Sequence, residues 1–212
     1  MNLSGSYKAL RDNSRAAMMA AIEIYNKPRF SYRSECFAIL LVNAWELAFK
    51  ALLSKRSRSV FYPKERDKPY KTLSITDAMA AGRPFFPAKI PFDAIRANLN
   101  LLITYRNNSV HFYNQKGFEM LLYDLSQTCI RNYRDFLYES FDIDLAQDID
   151  ITLLPLLLGT PPDPLTYISR AGSNPKTSKA MAAFLRELVS AVKGLEATGI
   201  DTARLLTSFR IK

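Results

Sequence analysis

A chain of 212 residues that is 48% hydrophobic and 23% charged has the composition of a soluble globular protein, with length for one substantial core and a smaller appendage. Its longest apolar runs, Cys36 to Val42 and Ile151 to Leu158, fall far short of the roughly 20 residues of a helical membrane crossing. The formal charge is +9, with one histidine, His111, and two cysteines, Cys36 and Cys129, too few ligands for a zinc site within one chain and no disulfide framework.

The opening residues lack the apolar core of a signal peptide, so a cytoplasmic location is expected. The excess charge is uneven. Residues 1–140 hold 21 Lys and Arg against 12 Asp and Glu, residues 141–212 hold 8 of each, and residues 50–96 alone hold 11 basic against 4 acidic side chains. Such asymmetry suits a phosphate-rich partner or a solvated basic surface in about equal measure.

In chain order, Tyr7, Leu10, Met18, Ala21, Ile22 and Tyr25 recur at helical spacing, predicting a first helix over 4–26 capped by Ser4 or Ser6 and ended before Pro28. A second, over 32–55, is apolar nearly all round and belongs at the centre of a bundle. Residues 56–90 change character: Val60 to Pro63 and Pro69 to Leu73 flank the charged tip Lys64-Glu65-Arg66-Asp67-Lys68, which predicts a short edge hairpin, then a short helix near Thr76 closed by Gly82-Arg83-Pro84. A third helix starts near Pro91 and runs to Tyr105, and a fourth spans about 115–141. The expected fold is all-α, an antiparallel four- or five-helix bundle over 1–141 with a hairpin or irregular insertion at 56–90. The remainder, 142–212, reads as a linker and a helical extension starting at Thr177 or Ser178, and its apolar end suits a chain cut within a longer protein.

The third helix runs directly into Arg106-Asn107-Asn108-Ser109-Val110-His111-Phe112-Tyr113. Arginine, four residues, histidine, one residue, tyrosine resembles the motif of HEPN-domain ribonucleases, including HEPN toxins paired with nucleotidyltransferase antitoxins. Ala20 to Pro28 and Asn43 to Leu47 also resemble an uncharacterised prokaryotic HEPN-like family of unknown function. The resemblance spans about residues 5–140. It implies a helical bundle with the motif between its last two core helices, and a metal-independent endoribonuclease of the toxin or phage-defence kind. It also implies a homodimer in which two motifs meet and supply the second imidazole, single-stranded or loop RNA as substrate, and an antitoxin or defence-system partner. No cofactor, metal or membrane is expected.

The residue types suit that chemistry. An imidazole moves protons near neutral pH, and a guanidinium offers a planar, permanently charged fork to two phosphate oxygens. The resemblance assigns acid–base work to His111, phosphate contact to Arg106, positioning to Asn107 and a nearby hydrogen bond to Tyr113. A plain alternative makes Arg106 a helix C-terminal cation and His111 a capping or core imidazole. Asn43, Glu46 and Lys50 share one helix face. Glu46 is then either an i,i+4 partner of Lys50 or, with Asn43, a support that orients Arg106 or His111. Lys64, Arg66 and Lys68 are candidate RNA contacts, and Tyr62, Tyr70, Phe85 and Phe86 could stack on unpaired bases or simply pack. The aspartates at 142–150 read as turn and cap residues. Rival functions are a non-catalytic HEPN module that binds nucleotide or RNA or regulates a partner, and a structural assembly domain.

Overall fold

A computed structural model describes residues 6–27, 29–108, 118–145 and 179–206. These form six α-helices: α1 (Tyr7–Asn26), α2 (Arg33–Lys55), α3 (Ile75–Gly82), α4 (Phe92–Asn108), α5 (Phe118–Phe141) and α6 (Lys179–Ala197). Short 3₁₀ turns lie at Arg83–Phe85 and Thr202–Arg204, and one isolated antiparallel bridge joins Phe61 to Thr72. The all-α expectation holds. The chain forms two compact units, the described parts of Met1–Ile90 with Arg134–Asp150 and of Pro91–Tyr133 with Ile151–Lys212. Each unit draws on residues from both sides of residue 141.

In the first unit α1 and α2 form an antiparallel pair. Ser14 donates its hydroxyl to the Ala44 carbonyl at 2.6 Å and Tyr25 meets Phe37 at 4.8 Å between ring centroids, so contacts advance along one helix as they retreat along the other. Twelve of the 23 residues of α2 are buried, which is why its sequence lacks a polar face. It is the one described helix long and apolar enough to cross a membrane, and 67% of its most apolar stretch is covered by protein. Its C-terminal half carries Trp45 and Phe49 into a ring cluster with Phe86 and Phe136 at centroid distances of 5.2–6.0 Å. Aromatic pairs at such distances contribute beyond their buried area.

The excursion after α2 begins with Ser57 in the left-handed region (φ 53°). Tyr62 N–H donates to Lys71 O and Leu73 N–H to Val60 O, both at 2.9 Å. Pro63 and Pro69 lack the donors to carry the ladder further, so pairing stops there. Ser74 caps α3 by accepting from Asp77 N–H at 3.2 Å, and the Asp77 carboxylate accepts from the Tyr62 and Ser74 hydroxyls. Those two hydrogen bonds, the Tyr62 one foremost, hold the Asp77 carboxyl below its ordinary pKa. Gly82 closes α3 where a Cβ would come within 3.1 Å of the Phe49 ring.

Lys50 locks this excursion to α2. Its side chain is 5% exposed, its ammonium donates to Glu46 Oε1 at 2.5 Å, and it donates to Thr72 Oγ1 at 3.1 Å. Removing Glu46 leaves a buried cation short of a partner. We expect Glu46→Ala to cost about 2 kcal/mol, below the ~3–5 kcal/mol of a fully buried pair because the Glu46 side chain stays 25% exposed. Lys50→Met keeps the volume without the charge and should come within about 1 kcal/mol of wild type. Urea unfolding of both variants checks the contrast, and equal costs would remove the burial argument.

In the second unit α6 packs on α4 through Met181, Phe184, Leu185, Leu188, Val192 and Leu195, a buried stripe at helical spacing. Asn98, fully buried in α4, donates to Leu125 O at 3.0 Å and to Leu205 O at 2.8 Å. Asn132 donates to Arg204 O at 2.8 Å and accepts from the Arg204 guanidinium at 3.2 Å. Leu205 and Leu206 are completely buried. Two asparagines on α4 and α5 therefore satisfy the carbonyls of Arg204 and Leu205 at the end of the 3₁₀ turn.

Candidate functional site

Arg106 and Asn107 lie in the last turn of α4, where a cation complements the carbonyl end of the helix. The helix continues three residues past the expected end at Tyr105, so Arg106 to Asn108 are helical. Tyr105 is buried, which leaves Arg106 half-buried and Asn107 exposed. Arg106 donates from Nε and Nη2 to Asn107 Oδ1 at 3.3 and 3.2 Å. Asn108 donates to the Thr104 carbonyl at 2.9 Å, and the Thr104 hydroxyl donates to Glu187 of α6 at 3.2 Å. The last turn of α4 is thus held by its own side chains and by the neighbouring helix. His111 and Tyr113 lie outside the described residues.

The other candidate residues belong to the first unit. Glu46 pairs with Lys50, one of the two expected alternatives. The pair is more buried than a surface i,i+4 pair, since it also engages Thr72. Asn43 is exposed on α2. At the hairpin tip Arg66 is 96% exposed and lies 3.8 Å from Asp67, while Lys68 pairs with Glu65. The ammonium of Lys64 sits 5.1 Å over the Tyr70 ring. Its three cations are largely matched by two neighbouring carboxylates, so the tip carries less net field than its lysines suggest.

The stacking candidates separate. Tyr62 is engaged with Asp77 and Phe86 with the buried rings, while Tyr70 is 44% exposed, edge-on to Phe61. Phe85 is half-buried with the Arg58 guanidinium 5.6 Å over its ring.

A cleft of about 430 Å³ lies in the first unit between the ends of α2 and α5 and the turn after α3, lined by Lys55, Arg56, Phe85, Phe86, Glu139 and Ser140 among others. Lys55 donates to the Ser140 carbonyl at 2.6 Å and lies 5.3 Å over the Phe141 ring, and Lys89 pairs with Glu139 at 3.0 Å. Sequence reasoning passed over Lys55, Arg56 and Arg58. The available signal was a basic run directly after an apolar helix, in the same segment as the candidate stacking pair Phe85-Phe86. Among the described residues no cluster of metal-ligating side chains occurs, and both cysteines are free thiols.

A family model described as "Domain of unknown function (DUF3644)" matches residues 9–192. No curated protein and no solved structure matches the chain.

Proposed function

The chain belongs to the DUF3644 family, and within it we propose a metal-independent endoribonuclease whose site is built from Arg106, Asn107, His111 and Tyr113 at a homodimer interface. The observation that carries this reading is the Arg106–Asn107 pair, oriented at the end of α4, with His111 four residues after Asn107 in the sequence. Asn107 Oδ1 takes the Nε/Nη2 edge of Arg106, the edge suited to a bidentate phosphate. Those bonds are long and their acceptor is neutral. A phosphate, making shorter charge-assisted bonds, would displace the amide and leave it to orient the phosphate or the imidazole.

The reaction needs no external reagent. The ribose 2′-oxygen bonds to phosphorus as its proton passes to a base, and the bond from phosphorus to the 5′-oxygen breaks as that oxygen receives a proton. Products are a 2′,3′-cyclic phosphate and a 5′-hydroxyl. His111 acts in one proton transfer, and the His111 of a second copy acts in the other. Arg106 stabilises the charge that grows on the phosphorane. The similarity of the motif to HEPN toxins supports a setting in toxin–antitoxin or phage-defence systems.

The single histidine makes the composite site testable. In mixtures of wild type with excess His111→Ala, in subunits shown to exchange, activity should fall below the wild-type fraction because mixed dimers lack one imidazole. Strict proportionality would mean that each chain works alone.

A further inference from the structure

We propose that the cleft at the ends of α2 and α5 binds one unpaired nucleotide of a single-stranded RNA, its base against Phe85 and its phosphate on Arg56. This deepens the ribonuclease reading and rests on it for the choice of RNA, while its geometry is independent of Arg106 and His111. At about 430 Å³ the space lies within the usual range for small-ligand clefts.

The electrostatics need weighing, because two helices end here and their terminal carbonyls repel anions. Lys55 offsets one of them by donating to the Ser140 carbonyl. Glu139 is engaged by Lys89, which leaves its carboxylate little force against a phosphate. Arg56 is then decisive. Its side chain is exposed and has no hydrogen-bond or ion-pair partner among the described residues, and it lines a cleft whose wall includes the half-buried Phe85 ring. Bases splayed from single strands stack on aromatic rings and on arginine planes.

Fluorescence anisotropy with a labelled ten-nucleotide oligouridylate, on the full chain at low salt, tests the site. Phe85→Ala should weaken binding about 5- to 150-fold, the loss of one base–aromatic stack. Arg56→Glu, a surface change that spares folding, should weaken binding about tenfold and flatten its dependence on salt. Lys68→Glu at the hairpin tip should change affinity less than either.

Wild-type binding that Arg56→Glu leaves intact, with melting temperature unchanged, would overturn the cleft. So would a wild type that does not bind the oligonucleotide. Full displacement by equimolar uridine monophosphate would overturn the RNA strand as occupant in favour of a free nucleotide. Binding through the cleft without any cleavage would uphold this site and count against the ribonuclease reading alone.

Discussion

Arg106→Ala should reduce RNA cleavage by about 10²- to 10³-fold, the usual cost of removing one preorganised donor from a developing oxyanion. His111→Ala should cost about 10²- to 10⁴-fold, the range for a positioned acid–base group. Arg106→Ala should lower the melting temperature by no more than a few degrees. Arg106 is only half-buried, so its truncation opens no core. The two together should lose little more than the worse single variant, because residues that act as a unit are not additive. Arg106→Lys should rescue poorly, since an ammonium cannot present a planar fork. A fully active Arg106→Ala would reduce that residue to a helix-terminal cation, the plain alternative its position also allows.

Phe136→Ala should destabilise the protein by about 3–5 kcal/mol, among the larger costs of a single core truncation. Its ring is fully buried and lies within 6.0 Å, centroid to centroid, of Trp45, Phe49, Phe86 and Phe141. It fastens the last turns of α5 to α2 and to the turn after α3. Loss of the ring would also loosen the wall of the cleft, because Phe86 lies stacked on Phe136 at 5.2 Å. RNA affinity should therefore fall along with stability, whereas Arg56→Glu should change affinity alone. Guanidinium unfolding monitored through Trp45, the only tryptophan, reports the first effect directly. A cost below about 1 kcal/mol would mean that the cluster repacks around the gap.

Most of the helices were legible because their signal is local. The periodicity of α1, the all-round apolarity of α2, and Phe136 and Leu137 on the long stripe of α5 each follow from spacing along one element. The insertion at 56–90 was legible in outline, and its two prolines limit the pairing to one isolated bridge, so the expected hairpin does not extend into strands among the described residues. α3 begins one residue before Thr76 because Ser74 is its cap, a role that depends on Asp77 and on Tyr62 twelve residues earlier.

Interactions between distant segments were not legible. Nothing near Asn98 indicates that its amide will meet Leu205, 107 residues later. Lys50 and Glu46 could be read as an exposed pair until Thr72, brought back by the hairpin, proved to share the ammonium. The cleft assembles residues near positions 55, 85 and 140, and only its basic run and its phenylalanines were visible singly. For the candidate catalytic site, the sequence pattern supplied the residues, and the described structure adds the orientation of Arg106 by Asn107.

The most direct measurement is end-group analysis of RNA cut by the purified wild-type chain, in EDTA, beside His111→Ala. The expected result is 2′,3′-cyclic phosphate and 5′-hydroxyl ends at an undiminished rate in chelator, with the variant inactive. Cleavage that EDTA abolishes and magnesium or manganese restores, or that leaves 5′-phosphate ends, would contradict a metal-independent Arg106–His111 ribonuclease.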